Sequence, residues 1–162
     1  MTTQLTTDQV WQEIEKHVFA TLGMVTPQDE ARTVGIVYVV DNHKLYIGTA
    51  KAAWKTKHIA HNPHVSLTIP IAKRIPFLPW INIPAATITF SGVARVLEHT
   101  EVRREVLAKL YRSVAKDAQA MAASCVIEVT PQKDFITYGV GMPLMQMRFP
   151  EKARGRVAVE SS

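Results

Sequence analysis

About a third of this chain carries no acid: residues 42–97 contain neither aspartate nor glutamate. The same interval holds Lys44, Lys51, Lys55, Lys57, Lys73, Arg74 and Arg95. A one-signed charge distribution concentrates positive potential wherever it folds together, and so favours an anionic ligand. Nucleic acid is not expected as a partner, because these cations are not interleaved with aromatics as a base-stacking platform requires. Cysteine is almost absent too. Cys125 is the single thiol, so no internal disulfide can form, and its place in the run SCVIEV suits a buried small hydrophobe. No apolar run approaches the ~20 residues that span a bilayer. The first fifteen residues lack the basic and hydrophobic regions of a signal peptide. The expectation is a cytoplasmic protein with no membrane contact. Also missing are a phosphate-loop motif, a GxGxxG fingerprint and any zinc-type spacing. His58, His61 and His64 recur at intervals of three, but Asn62-Pro63 interrupts the helix before the third, so no metal is expected.

What is present describes one globular domain. The 162 residues are 47% hydrophobic and 20% charged with a formal net charge of +5, and nothing resembles an internal linker or a repeat. The most informative stretch covers residues 44–67. A strand over 45–49 runs into the small-residue turn 50–53, and a short helix starts at Trp54 and Lys55. Asn62 and Pro63 end that helix, since proline disfavours helical geometry in the residue before it. A further strand follows over 65–69. This arrangement sets the unpaired N–H groups of a helix start beside Thr49, Lys51, Lys55 and Lys57. Orphan amides with lysines and no acid make a phosphate site.

Elsewhere the pattern predicts mostly antiparallel strands. Thr6 and Gln9 form a capping box for an amphipathic helix over 7–18, with Val10, Trp11, Ile14 and Val18 on its apolar face. Strands over 19–26, 33–40 and 45–49 then read as a three-stranded meander, the last two joined by a hairpin at Asp41-Asn42-His43-Lys44. Four prolines between residues 70 and 84 rule out regular structure there. Phe77, Leu78, Trp80 and Ile81 make that segment too apolar for a free loop, so it is expected to be an ordered excursion. Trp80 either fills a hydrophobic niche or stacks near a flat cofactor or substrate. A long strand over 85–97 has Gly92 at a bulge or close approach. A helix over 99–114 buries Val102, Val106, Leu107, Leu110 and Val114. Its charges, Glu101, Arg103, Arg104, Glu105, Lys109 and Arg112, read as a solvated face. Strands over 124–130 and 135–140 flank a turn at 131–134. The tail begins with Met142, Leu144, Met145, Met147 and Phe149, an apolar patch that either meets a second subunit or lines a pocket. Residues 151–162 are expected to be partly disordered. The sum is a mainly β, α+β chain of about seven strands, which argues for a barrel decorated by helices.

The segments RTVGIVYVVD at 32–41, LYIGT at 45–49, Trp54-Lys55 and HNPHVSL at 61–67, taken in this order, resemble the pyridoxamine 5′-phosphate oxidase-like family of FMN-binding split barrels. The resemblance covers residues 10–140, with 141–162 a C-terminal tail. It implies a six- to seven-stranded antiparallel split barrel that works as a homodimer, with FMN at the subunit interface. Under that resemblance Thr49 and Ala50 meet the phosphate and ribityl chain, and Lys55 clamps the phosphate. Arg32 or Thr33, with Val34 after them, meets phosphate and ring. The serine and arginine that commonly precede the clamp lysine are here Ala53 and Trp54, leaving Lys51 or Lys57 to compensate. That departure keeps a deazaflavin coenzyme or haem open beside FMN. No counterpart exists of the C-terminal arginine-histidine segment that acts on vitamin B6 substrates. A flavin carries the redox chemistry itself, so no catalytic dyad is required. The resulting expectation is an FMN-dependent oxidoreductase acting on an unidentified small molecule. The alternatives are a non-catalytic flavin or haem binder, or a deazaflavin-dependent reductase on the same barrel.

Overall fold

A computed structural model describes residues 5–75, 77–78, 80, 83–112 and 117–159. The chain opens with helix α1 (Thr7–Glu15). Thr6 accepts from the Gln9 amide while the Gln9 side chain accepts from the Thr6 amide, so the capping box forms as its sequence requires. Val10, Trp11 and Ile14 face the core. Strand β1 (Phe19–Val25) pairs antiparallel with β2 (Ala31–Val37). The chain then breaks at Tyr38 and resumes as β3 (Val39–Asp41), which pairs with β4 (Lys44–Ala50). Asn42 and His43 both take positive φ, the geometry that closes a two-residue hairpin.

The expected three-stranded meander is therefore corrected. The order along the sheet is β2-β1-β5-β6-β7-β4-β3, so the two hairpins lie at opposite ends of the path. Tyr38 supplies the physical reason for the break. Its ring is buried, its hydroxyl donates to the Ile14 carbonyl at 2.8 Å, and its amide donates to Val18. Beyond that last bond to the β1 side the chain leaves β1 and pairs with β4 instead. The sheet curls into a half-barrel, and β2 returns into contact with β4.

Helix α2 (Trp54–His61) follows β4, and β5 (His64–Ile71) follows α2. Pro70 lies within β5 opposite Thr87, so the proline-rich excursion starts later than the sequence suggested. In that excursion Phe77 is 94% exposed and Trp80 72% exposed, so Trp80 fills no niche within the chain. Ile81 lies outside the described residues. Strand β6 (Ala86–Leu97) pairs along most of its length with β7 (Ser124–Tyr138). Gly92 is a close approach, as its pattern implied: a Cβ there would sit 2.8 Å from the Thr130 carbonyl oxygen.

Two further expectations are overturned. Residues 131–134 are not a turn between two strands. They belong to one fifteen-residue strand, β7, in which Lys133 takes positive φ and the register with β6 shifts between Thr89 and Ser91. The extra residues are absorbed as an irregularity of the ladder. The tail expected to be partly disordered is regular over 150–158, and residues 160–162 lie outside the described residues. A 3-10 turn (Leu144–Arg148), helix α5 (Pro150–Ala153) and strand β8 (Arg154–Ala158) follow, and β8 pairs with β7. Met147 and Val157 are buried in the main core, while Met145 and Phe149 remain exposed. Between β6 and β7 lie a 3-10 turn (His99–Glu101), α3 (Arg104–Leu110) and α4 (Ala118–Ala122). The anticipated helix over 99–114 is thus shorter and divided, and Val114 lies outside the described residues. Among the described residues no helix is long and apolar enough to cross a membrane.

A second, smaller core lies under α3 on the outer face of β4, β7 and β6, where Tyr46, Leu97, Val102, Val106, Tyr111 and Val126 meet. Glu128 is buried there. It accepts from the Tyr46 hydroxyl at 3.1 Å and pairs with Arg95 at 3.2 Å and Lys44 at 3.3 Å. Arg103 is not a merely solvated charge, because it forms a two-point ion pair with Asp41 and pins α3 to the β3–β4 hairpin.

Candidate functional site

The junction of β4 and α2 is built from small residues and backbone hydrogen bonds. β4 ends at Ala50, whose carbonyl accepts from the Ala53 amide at 3.0 Å and from the Thr56 hydroxyl at 3.1 Å. Those two bonds fold the turn back on the strand end. The Lys51 amide donates to Ala123 at 2.9 Å, which fixes the turn against the end of α4. Ala53 is the N-cap of α2 and has no side chain able to cap. The amides of Thr56 and Lys57 reach the Ala53 carbonyl. Those of Trp54 and Lys55 find no acceptor among the described residues, so two donors stay unpaired at the positive end of the helix dipole.

The lysines around this turn differ. Lys51 is engaged: its ammonium lies 2.7 Å from Glu98. Lys55 and Lys57 have no carboxylate within ion-pair distance among the described residues. Cys125 is the partner of Thr49 in the β4–β7 ladder. Burial pushes its thiol pKa up, while the Thr56 hydroxyl and the charges of Lys51 and Lys55 oppose the rise. The acid-free interval is therefore less cationic in three dimensions than in sequence. Glu98 and Glu128, supplied from beyond it, pair with Lys51, Lys44 and Arg95.

The remaining residues singled out from sequence are more dispersed. Arg32, Thr33 and Val34 lie on β2. Arg32 is held by Glu30 at 2.7 Å, Thr33 is exposed, and Val34 packs against the core. Trp54 is partly exposed and leans on His58 with ring centroids 5.3 Å apart. Trp80 lies exposed in the excursion between β5 and β6. Thr49, Ala50, Lys51, Trp54, Lys55 and Lys57 thus form one cluster, with Arg32 to Val34 on a separate strand that curls toward β4.

One feature of the region had no sequence signal beyond a glycine in a strand. Gly48 on β4 lies over Tyr111, and a Cβ there would sit 3.3 Å from the tyrosine ring. The Tyr111 hydroxyl donates to the Cys125 carbonyl at 3.1 Å. His99 Nε2 lies 3.3 Å from that hydroxyl and 3.2 Å from Ser124 Oγ, which donates to the Met121 carbonyl. His99 Nε2 thus lies within hydrogen-bonding distance of both hydroxyls. The ring of Tyr111 is thereby locked as the floor of an apolar groove of about 530 Å³ bounded by Val18, Val37, Val39 and Leu110.

With this geometry in place the family follows. The chain belongs to the pyridoxamine 5′-phosphate oxidase family, whose model matches residues 6–136. Among solved structures it is similar to a pyridoxamine 5′-phosphate oxidase-like protein of Listeria innocua, with 19% identity over 78% of this chain and 94% of that one and a TM-score of 0.61. It is also similar to the haem storage protein HutZ of Vibrio cholerae, with 14% identity over 83% and 96% of the two chains and a TM-score of 0.63. An F420 reductase matches at 16% identity over 71% and 86%, with a TM-score of 0.52. At these identities the likeness concerns the fold alone, which is the split barrel. No curated protein matches the chain significantly.

Proposed function

We propose that this protein holds FMN as a homodimer and acts as an oxidoreductase on a small molecule, with the flavin phosphate received at the start of α2. The observation that carries the reading is the pair of unpartnered amides of Trp54 and Lys55 beside two lysines, Lys55 and Lys57, that no carboxylate neutralises among the described residues. A phosphate dianion satisfies such donors, and the helix dipole adds to the attraction. Thr49 and Ala50 bring the end of β4 against the same turn and suit the ribityl chain. Arg32, Thr33 and Val34 line the neighbouring strand for phosphate and ring, Arg32 after release from Glu30. When bound, flavin supplies the electron transfer. The protein's own contribution is to fix the phosphate, exclude water from the ring and position the substrate.

A second reading follows from Ala53 and Trp54. Ala53 offers no hydroxyl at the N-cap and Trp54 no cation, so the phosphate shell is thinner than the family pattern implies. That keeps a deazaflavin coenzyme or haem open beside FMN. The structural neighbours named for F420 and haem chemistry lend weight to it.

The visible spectrum of the purified protein separates these readings as flavin bands, a haem Soret band or no colour. Lys55→Ala is expected to weaken FMN binding about tenfold or more, the loss of one charge-assisted hydrogen bond. An unchanged dissociation constant removes Lys55 from the site. Turnover of bound flavin by NADH or NADPH then distinguishes an enzyme from a carrier.

A further inference from the structure

Strands β5, β6 and β7 share one end of the sheet, and two segments that the phosphate site does not use leave from there. Ile71 pairs with Ala86 and Thr87 with Tyr138, so the excursion after β5 and the tail after β7 start side by side. The Lys73 ammonium donates to the Met142 carbonyl at 2.6 Å and ties the two together at their bases. Beyond that tie both are apolar and open. Phe77 is 94% exposed, Trp80 72% and Met145 70%, and Phe149, just before α5, is half exposed. Single apolar residues on a surface need no explanation, but several on two adjoining segments mark an interaction surface. Phe77 also takes a φ of 69°, a costly conformation for a bulky residue, and no burial of its ring within the chain offsets that cost. The surrounding charge is almost all positive. Residues 72–85 contain Lys73 and Arg74 and no acid, and residues 139–154 set Arg148, Lys152 and Arg154 against Glu151 alone. Arg74, Arg148, Lys152 and Arg154 are exposed, and none has a carboxylate within ion-pair distance among the described residues.

That charge decides between occupants. A second copy meeting this surface about a two-fold axis would set the same cations against one another, and the centre of a subunit interface is depleted of charge. A bilayer with anionic headgroups satisfies both kinds of side chain. Aromatic and thioether groups enter its interfacial region, while lysines and arginines meet the lipid phosphates. No helix among the described residues can cross a membrane, but lying on one requires no span. We propose that this end of the barrel docks on an anionic membrane surface. The apolar side chains of the excursion and tail insert at headgroup level, and Arg74, Arg148, Lys152 and Arg154 lie against the phosphates. The Lys73–Met142 tie holds the two segments together before contact, so less ordering is left to be done on binding. Docking of this kind does not depend on which cofactor the turn before α2 receives.

The test sediments the full-length protein with sucrose-loaded vesicles of phosphatidylcholine, alone or with about one third phosphatidylglycerol. Binding is expected to be roughly tenfold tighter or more to the anionic vesicles and to weaken as salt rises. The double variant Phe77→Ser, Trp80→Ser is expected to bind them about fivefold more weakly at every salt concentration. Arg148→Gln, Lys152→Gln is expected to lose most of the preference for phosphatidylglycerol. All four side chains are exposed, so circular dichroism of both variants should match the parent. Tryptophan emission is expected to shift to the blue when vesicles are added. Trp80→Phe should abolish that shift while binding persists, which separates Trp80 from the partly exposed Trp54. Arg104→Gln, on α3 beyond the opposite end of β6, is the control and should bind as the parent does. Absence of binding to anionic vesicles overturns the proposal. So does binding that ignores Phe77 and Trp80, or that falls as far in Arg104→Gln. A smaller particle for Phe77→Ser, Trp80→Ser without lipid, seen by light scattering, would make the surface a subunit contact and overturn it as well. If FMN fails to bind while the vesicles behave as expected, only the flavin reading falls. The reverse pattern removes only the membrane surface.

Discussion

Lys51 Nζ lies 2.7 Å from the Glu98 carboxylate, tying the turn after β4 to the residue that follows β6. Both side chains are about half exposed, so the pair is worth roughly 0.2–1 kcal/mol. That is small enough for a bound phosphate to compete for the lysine. Glu98→Gln releases Lys51 and is expected to raise FMN affinity by about twofold to fivefold at low salt, with the gain shrinking as salt screens it. Flavin fluorescence quenching measures this directly. An unaltered affinity at low ionic strength would show that Lys51 lies beyond the phosphate's reach.

Tyr46 provides a pH prediction. Burial, and then the charge and hydrogen bond of Glu128, push its phenol up to about 12. An acid whose pKa is higher folded than unfolded favours the fold while it stays neutral. That stabilisation is complete below pH ~10, the unfolded value, and is lost as pH rises toward 12. Tyr38, buried with its hydroxyl on Ile14, shifts in the same direction. Urea unfolding is expected to give falling stability from pH 10 upward. Ultraviolet titration of Glu128→Gln should show one phenol ionising at lower pH than in the parent. If every phenol keeps its midpoint, Glu128 does not act on Tyr46 in solution.

Gly92 tests the close approach of β6 and β7. A methyl group there meets the Thr130 carbonyl oxygen at 2.8 Å, and backbone cannot yield as a flexible side chain can. Gly92→Ala is expected to cost about 1–3 kcal/mol in chemical denaturation. A loss well under that range would mean the two strands part easily.

The tail is expected to be structural. β8 covers the β7 edge from Asp134 to Tyr138, Val157 is buried, and the Ala158 carbonyl accepts from the Thr7 hydroxyl at 2.9 Å. Ending the chain after Ala153 removes those contacts and uncovers a strand edge. The melting temperature should fall by about 5 °C or more, since each kcal/mol is worth about 2–4 °C at this size. A truncated chain that melts with the parent would leave β8 as a passive appendage.

Local chemistry carried much of this molecule. The Thr6–Gln9 box, the Asn42-His43 hairpin, the Asn62-Pro63 stop and the alternation of β5 and β6 are interactions between residues near in sequence, and they formed where the pattern put them. The unpaired amides beside Lys55 were legible for the same reason, since a helix start without a capping side chain is a local fact.

Long-range pairing was decided only in three dimensions. Pro131 to Asp134 carry turn residues, yet β6 offered a ladder that kept them in a strand with a bulge. The polar tail gained order because β7 had a free edge to pair with. Glu98 and Glu128 came from outside the acid-free interval to neutralise three of its cations, because electrostatic partners are chosen by distance in space. The groove over Gly48 and Tyr111 joins residues sixty-three positions apart, and no local pattern encodes such a meeting. The sequence by itself determined the capping box, the β3–β4 hairpin, the stop of α2 and the small-residue turn before it. Tertiary packing determined which charges remain unpaired and where apolar surface stays open, because both depend on contacts between distant segments.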